Sequence, residues 1–202
     1  MGVCYIVGAG EFTPLPKIEE CDLVIAADGG YDSLIKQNIT PNLLVGDLDS
    51  ILDAPSNVEI LRFKCEKDET DMHLAYLEGA KRGYAEFSIY GGTGGRIDHT
   101  LANFSLLYYI AKNGHTAKIF GKDFEAQVIV NGNASLFSEE LKYFSVFAFG
   151  GKASGVSIKN AAYELKSGDL SPDFPLGVSN RFCNTPATVS VKDGALLVII
   201  QK

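Results

Sequence analysis

The chain has 202 residues, of which 46% are hydrophobic and 21% are charged, and these proportions indicate a folded globular protein rather than a disordered one. Its formal net charge of -7 argues against nonspecific binding to nucleic acid or to an anionic membrane. The four cysteines are irregularly spaced, which predicts neither a zinc site nor a disulfide framework. The first apolar run is too short for a signal sequence, so we expect a cytoplasmic protein.

Short apolar runs alternate with helical patterns in the first 122 residues. Helical spacing predicts one helix that follows Asp68 and ends at Gly83, and another from His99 to Lys112. This alternation predicts an α/β domain over residues 1–122, with a mainly parallel sheet flanked by helices. Its strands are predicted at 4–7, 23–27, 42–45, 58–63, 86–90 and 117–120.

The pattern changes to alternating apolar and polar residues from about residue 123. Strands are predicted at 126–130, 143–148 and 188–191, and the turn at 192–194 (Lys-Asp-Gly) is typical of a hairpin. No long helical pattern follows. We therefore expect a second, all-β domain over residues 123–202, built as a small sandwich or barrel.

The first acidic motif is Gly-Asp-Leu-Asp-Ser at 46–50, directly after a buried strand. Its carboxylates, Asp47 and Asp49, are hard oxygen ligands at the carboxyl end of a strand, where open α/β sheets bind ligands. Both are predicted to bind Mg2+. The alternative is a turn capped by Ser50.

The second acidic motif is Lys-Asp-Glu-Thr-Asp at 67–71, at the start of a predicted helix. Asp68 and Asp71 can share one face near the positive end of the helix dipole, and Lys67 can meet a phosphate. The alternative is a helix-capping box without a ligand.

The third motif is the glycine-rich segment 91–95, which follows a strand and precedes a helix. Its backbone N–H groups can approach phosphate oxygens, and Arg96 adds a permanent planar charge. Asp98 is a candidate to bind metal, orient a water or hold Arg96. The segment is neither a Walker loop nor a dinucleotide fingerprint, and the alternative is a flexible turn with an Arg-Asp pair. The residues expected to contact a nucleotide here are Gly92, Thr93, Gly94, Gly95, Arg96 and His99.

A further strand-to-turn junction carries Asp28, Gly29 and Gly30. Asp28 and Gly29 are candidates to bind the nucleotide. The alternative for Asp28 is the N-cap of a short helix around 33–36.

Together, the motifs at 27–30, 46–50, 67–71 and 94–99 closely resemble the thiamine pyrophosphokinase family, in that order and at similar separations. Segments 155–165 and 177–180 resemble the thiamine-binding part of the same family, so the resemblance covers nearly the whole chain. Residues 160–162 (Asn-Ala-Ala) and 31–32 (Tyr-Asp) depart from the family pattern.

The resemblance implies an ATP-dependent thiamine diphosphokinase that converts thiamine to thiamine diphosphate with release of AMP. It also implies a C-terminal β-sandwich and a homodimer in which thiamine lies between one subunit's α/β domain and its partner's sandwich. Mg2+ is implied at Asp47, Asp49 and Asp71, and catalytic roles at Asp71, Arg96 and Asp98. The implied thiamine-binding residues are Ser157, Tyr163, Ser179 and Asn180. The alternatives are a metal-dependent nucleotide-sugar transferase and a non-catalytic module that binds thiamine or a nucleotide.

Overall fold

The computed structural model describes residues 2–47, 58–63, 68–137, 142–183 and 185–202. The chain divides into two compact units. The first unit consists of Met1–Leu106 and Gly114–Lys122, and the second of Leu107–Asn113 and Asp123–Lys202. In the described part of the chain, none of the helices is long and apolar enough to cross a membrane.

The first unit contains, among its described residues, six strands, two whole helices and the beginning of a third. The helices are α1 (Gly30–Ile35), α2 (Asp71–Lys81) and α3 (Ile97–Lys112), and the last residues of α3 belong to the second unit. The strands are β1 (Cys4–Val7), β2 (Leu23–Ala27), β3 (Leu43–Gly46), β4 (Glu59–Arg62), β5 (Glu86–Tyr90) and β6 (Thr116–Phe120).

These strands form parallel pairs in the order β4-β3-β2-β1-β5-β6. Strands β1, β2 and β3 are buried along their whole length, which explains their continuous apolar sequences. The chain leaves β1 toward β2 on one side and later returns to place β5 on the other. The order therefore reverses between β1 and β5, and such a switch point leaves a crevice at the carboxyl ends of the strands.

Helix α2 packs closely on this sheet, and its first residue, Asp71, directly follows the N-cap residue. The N-cap is Thr70, whose hydroxyl accepts a hydrogen bond from the His73 backbone N–H at 3.2 Å. A Cβ added to Gly79 would lie 2.8 Å from the Cys4 Sγ and 2.9 Å from the Phe87 ring. A glycine at 79 thus allows α2 to approach β1 and β5 closely.

The described strands of the second unit form two antiparallel groups of four neighbouring strands. Their orders are β12-β9-β14-β7 and β11-β10-β13-β8. Apolar side chains from both sheets share one core, including Phe144, Val146 and Leu196 from the first and Val156 and Val189 from the second. The strands are β7 (Phe124–Val130), β8 (Asn133–Leu136), β9 (Tyr143–Ala148), β10 (Ala153–Lys159), β11 (Leu165–Leu170), β12 (Gly177–Arg181), β13 (Ala187–Ser190) and β14 (Ala195–Gln201).

The hairpin predicted at 192–194 is wrong. Strand β13 pairs with β10 and β8, whereas β14 pairs with β7 and β9, so the turn carries the chain from one sheet to the other. The Ser154 N–H donates to the Asp193 carbonyl at 2.8 Å, which ties the turn to the start of β10. A tight turn with glycine can join two strands that pair with each other or two strands that pair elsewhere. Which strands pair is decided by packing between residues that are distant in the sequence.

Candidate active site

A cavity of about 830 Å3 lies at the switch point of the first unit. Its walls come from the ends of β1, β2, β3 and β5 and from the first turns of α2 and α3. This is the crevice in which open α/β sheets bind their ligands. The predicted motifs of the first unit therefore converge because each follows a strand or opens a helix at one edge of the sheet.

Most of the predicted residues of the first unit line this cavity. Gly29, Asp68, Thr93 and Asp98 do not line it, and Asp49 and Lys67 lie outside the described residues. Of the two aspartates of the predicted Mg2+-binding motif at 46–50, the structure therefore describes only Asp47. The predicted residues that line the cavity are Asp28, Asp47, Asp71, Gly92, Gly94, Gly95, Arg96 and His99.

Asp28 and Asp47 lie at the ends of neighbouring strands. The Asp28 N–H donates to the Val45 carbonyl at 2.8 Å, so the residue after β2 stays beside β3. Asp28 has a φ of 45°, an uncommon backbone conformation that is found often at functional sites. The N-cap of α1 is Gly29 and carries no side-chain capping bond, so the interpretation of Asp28 as a helix cap is wrong.

Asp71 is the first residue of α2 and lies in its first turn. The capping hydroxyl is supplied by Thr70, so the capping-box alternative does not need the Asp71 carboxylate. A carboxylate in the first turn is stabilised by the helix dipole. Asp71 therefore brings a carboxylate to the cavity from the start of a helix, whereas Asp28 and Asp47 bring theirs from the ends of strands.

Two glycine-containing loops pack against each other in the wall of the cavity. The Gly10 N–H donates to the Gly91 carbonyl at 2.8 Å, and the Glu11 N–H donates to the Thr93 carbonyl at 2.6 Å. An added Cβ on Gly10 would lie 2.4 Å from the Thr93 carbonyl oxygen, and one on Gly91 would lie 2.2 Å from the Gly8 carbonyl oxygen. Side chains at these positions would push the loops apart, so the close backbone approach requires glycine.

Arg96 and Asp98 form an exposed two-point ion pair at the start of α3. The Arg96 Nε lies 3.2 Å from one Asp98 carboxylate oxygen, and its Nη2 lies 2.5 Å from the other. The His99 N–H also donates to Asp98 at 3.0 Å. The bond from Arg96 is the main cause that lowers the pKa of Asp98 from 3.8 to about 2. Asp98 is therefore a weak proton acceptor in this arrangement, and it orients the guanidinium that lines the cavity.

Several residues of the cavity wall were not predicted from the sequence. Gly8, Gly10 and Glu11 follow β1, and their pattern of glycines after an apolar strand is the one that identified segment 91–95. Glu11 lies 3.8 Å from Lys122 in an exposed ion pair. Asn103 is 5% exposed, and its Nδ2 donates to the Gly92 carbonyl at 2.6 Å. A lone asparagine inside a helical pattern gives no sequence indication of such a contact.

The four predicted thiamine-binding residues lie in the second unit, where β12 and neighbouring segments hold them. Tyr163 is 64% exposed, and Asn180 is 4% exposed with its side chain bonded to the Tyr163 backbone. The Ser157 hydroxyl accepts from the Ser167 N–H at 3.1 Å. Ser179 has a φ of 59°, and its N–H donates to the Ser145 hydroxyl at 3.1 Å.

The donor set of the cavity suits a hard divalent cation with a polyphosphate. Five carboxylates line it, and among its described lining residues Arg96 is the single lysine or arginine. Oxygen ligands of this kind favour Mg2+, which neutralises like charges that would otherwise repel. No group of three or more His, Cys, Asp or Glu side chains with metal-binding geometry occurs within the described ranges. The lining carboxylates are Glu11, Asp28, Asp47, Glu69 and Asp71.

Two family models match this chain in succession. Residues 16–119 match the thiamin pyrophosphokinase catalytic domain, and residues 134–196 match the thiamin pyrophosphokinase vitamin B1 binding domain. The chain belongs to the thiamin pyrophosphokinase family. The family predicted from the motifs is confirmed, and with it the assignment as a thiamine pyrophosphokinase enzyme.

Individual relatives agree with the thiamin pyrophosphokinase models over almost the full length. The chain is 28% identical over 208 residues to a thiamine pyrophosphokinase of Bacillus subtilis, with 96% of each chain covered. A crystal structure of thiamine pyrophosphokinase from Bacillus subtilis superposes with a TM-score of 0.87 at 26% identity, with 99% of each chain covered. A family protein from Enterococcus faecalis gives 0.84 at 25% identity, covering 100% of this chain and 99% of that one.

Proposed function

We propose that the protein transfers a pyrophosphoryl group from ATP to the hydroxyethyl oxygen of thiamine, with Mg2+, to give thiamine diphosphate and AMP. The observation that carries this proposal is the cavity at the switch point, where five carboxylates, one arginine and two glycine loops line one space. Pyrophosphoryl transfer depends on positioning and charge neutralisation more than on covalent help from the protein. The cavity offers both.

The carboxylates of the cavity support a metal-bound polyphosphate. A polyphosphate without a cation would be repelled by Asp28, Asp47 and Asp71, so the anionic substrate must enter with counter-charge. Asp47 and Asp71 would hold Mg2+, together with Asp49, which the family resemblance implies as a third ligand. A bound Mg2+ would neutralise phosphate charge as the reaction proceeds.

The remaining lining groups support the binding of phosphate. The glycine loops bring backbone close to the cavity, and the exposed guanidinium of Arg96 can form two parallel bonds to phosphate oxygens. Asp98 keeps Arg96 oriented through its own two bonds. The Arg96 charge would stabilise negative charge that develops on the phosphate oxygens.

The proton of the thiamine hydroxyl needs an acceptor when the oxygen attacks the β-phosphorus and the bond to the AMP oxygen breaks. Of the two candidate carboxylates, Asp98 is the poorer base because Arg96 lowers its pKa to about 2. Asp71 lines the cavity, whereas Asp98 does not. Asp98 is therefore assigned to holding Arg96, and the acceptor is either an Asp71 carboxylate oxygen that does not bind Mg2+ or a phosphate oxygen of the substrate.

The second unit is proposed to bind thiamine through Ser157, Tyr163, Ser179 and Asn180. The match of residues 134–196 to a vitamin B1 binding domain supports this role. The exposed ring of Tyr163 suits stacking on the pyrimidine ring of thiamine and attraction to its cationic part.

We further propose a homodimer in which each active site combines the first unit of one protomer with the second unit of its partner. Large apolar side chains are exposed on both units, and such surfaces are typical of association. In the first unit, Ile97 and Leu101 are 71% and 60% exposed, one turn apart on α3. In the second unit, Phe174 and Leu176 are 65% and 55% exposed.

The first experiment incubates the protein with ATP and Mg2+, with and without thiamine, and resolves AMP, ADP and thiamine diphosphate by chromatography. We expect AMP and thiamine diphosphate in equal amounts, only when thiamine is present. Thiamine-dependent ADP would instead show transfer of the γ-phosphoryl group, and no turnover would support the binding-module alternative.

A charge-neutral variant tests the cavity. Asp71→Asn should lower kcat by about 100-fold or more, since it removes a carboxylate proposed to hold the Mg2+ that neutralises phosphate charge in the transition state. Asp32→Asn is the matched control because Asp32 is an exposed first-turn acid of α1 outside the cavity. Equal activity of the two variants would refute the assignment.

Mixing two inactive variants tests the shared site. When Asp71→Asn and Tyr163→Ala proteins exchange subunits, half of the dimers are mixed and each mixed dimer has one intact site, so activity should recover to about a quarter of wild type. No recovery in a solution shown by light scattering to contain mixed dimers would show that each site uses a single chain.

A further inference from the structure

Asn180 is one of three buried polar or charged side chains among the described residues, at 4% exposed. Its Oδ1 accepts from the backbone N–H groups of Tyr163 at 3.0 Å and of Arg181 at 2.9 Å. Its Nδ2 donates to the Tyr163 carbonyl at 2.7 Å. The side-chain amide thus exchanges with the Tyr163 backbone the same pair of bonds that neighbouring strands exchange, and few of its bonding positions remain for a ligand.

Tyr163 lies in the segment between β10 and β11, and the residue is 64% exposed. Nearby backbone bonds hold the same segment, since the Ala162 N–H donates to the Arg181 carbonyl at 3.0 Å. The Asn160 N–H donates to the Glu164 carboxylate at 3.0 Å. These bonds hold the backbone of residue 163 before any ligand arrives, and with it the direction in which the Tyr163 side chain leaves the chain.

We propose that Asn180 is a positioning residue, which does not contact thiamine but fixes the Tyr163 backbone so that the ring is presented to the pyrimidine of thiamine. The inference rests on the proposed function of the second unit and changes the role assigned to Asn180 within it. Holding a binding group in its bound conformation raises affinity because less conformational freedom is lost on binding. Asn180 therefore acts on thiamine affinity through Tyr163.

Kinetics give the first test. Asn180→Ala removes all three bonds, and we expect the KM for thiamine to rise by about tenfold. The KM for ATP and the kcat at saturating thiamine should stay within about twofold, since the cavity of the first unit is untouched. Val189→Ala, a truncation in the core of the same unit, is the control for lost stability. If Val189→Ala lowers Tm as much as Asn180→Ala does, its KM for thiamine should still equal that of wild type.

Asn180→Asp gives a second variant in case the alanine variant does not fold. It keeps the acceptor for the Tyr163 and Arg181 N–H groups but places an oxygen where Nδ2 donates to the Tyr163 carbonyl. We expect its KM for thiamine to lie above that of wild type at neutral pH. Protonation of the new carboxyl group restores a donor, so the ratio of its KM to that of wild type should fall as the pH is lowered.

Fluorescence gives a test that does not depend on activity. The chain contains no tryptophan, so Tyr163→Trp introduces a single reporter at this position. Adding Asn180→Ala to this variant should lower the tryptophan anisotropy and weaken the quenching by thiamine. Adding Val189→Ala should do neither.

The outcomes separate the possible roles. A higher KM for thiamine with unchanged anisotropy would show that Asn180 contacts thiamine directly, and lower anisotropy with an unchanged KM would show that the position of Tyr163 does not matter. Either result overturns the proposal. If the wild type releases no thiamine-dependent AMP, the proposed function fails, while the anisotropy still shows whether Asn180 orders residue 163.

Discussion

Replacing Gly91 with alanine tests the packing of the two glycine loops at the switch point. Gly91 has a φ of 59°, and its added Cβ would lie 2.2 Å from the Gly8 carbonyl oxygen. The left-handed backbone costs a residue with a Cβ about 1–2 kcal/mol. Displacing a packed backbone adds about 1–3 kcal/mol, as overpacking does in a core. We expect Gly91→Ala to lower the free energy of unfolding by about 2–5 kcal/mol, the sum of these two terms.

Two other glycines separate these contributions. Gly95 has a φ of 68° and Gly114 a φ of 79°, and among the described atoms an added Cβ at either would meet nothing within 4 Å. Each alanine variant should therefore lose only the conformational part, about 1–2 kcal/mol. Gly95 lines the cavity and Gly114 does not, so Gly95→Ala should raise the KM for ATP while Gly114→Ala leaves it unchanged.

Urea denaturation at fixed protein concentration gives the free energies, and initial rates of AMP release give the KM values. Gly91→Ala should combine the largest loss of stability with the largest rise in the KM for ATP, because it separates the loop after β1 from the loop after β5. If Gly91→Ala is no less stable than Gly114→Ala, the two loops do not approach each other as closely as the structure shows.

Two further predictions concern the first turns of α3. Asn103→Ala leaves the Gly92 carbonyl without its donor, so we expect a stability loss of about 1–3 kcal/mol and a several-fold rise in the KM for ATP. Asn113→Ala removes a similar bond, from Nδ2 to the Tyr109 carbonyl at the exposed end of the same helix, and should leave that KM unchanged; an equal rise would argue against a role for Asn103. For the ion pair, the pKa of Asp98 is lowered from 3.8 to about 2, chiefly by the bond from Arg96. The contribution of the pair to stability is therefore present above the ordinary pKa and is lost as the pH falls through about 2. Carbon NMR should give a carboxyl midpoint for Asp98 near 2 in wild type and a higher one in Arg96→Ala, and a wild-type midpoint near 4 would contradict the ion pair.

The sequence predicts the sheet of the first unit well because strands that are buried on both faces have continuous apolar sequences. The runs at 4–7, 23–27 and 86–90 are apolar and short, and the structure places β1, β2 and β5 at these residues. Since parallel strands align their carboxyl ends at one edge, acids that follow β2 and β3 must come together there. The convergence of Asp28 and Asp47 is therefore predictable without side-chain detail.

Other features depend on contacts that the local sequence does not specify. The turn at 192–194 has hairpin residues, but the core shared by two sheets decides which strands pair. Aspartate is a common helix-capping residue, yet Gly29 occupies the N-cap position of α1 and Asp28 lines the cavity. In both cases local propensity permits two outcomes, and tertiary packing selects one.

Asparagine contacts show this limit most clearly. Asn103 donates to Gly92 across 11 residues of sequence, and Asn180 bonds to Tyr163 across 17. Both side chains are buried, and each bonds the backbone of a segment proposed to contact a substrate. A buried amide that satisfies a loop backbone holds that loop without adding charge to it. At Asn103 the neutral amide suits a cavity that already carries many negative charges, because a buried acid or lysine beside Gly92 would change the electrostatics that the phosphates meet.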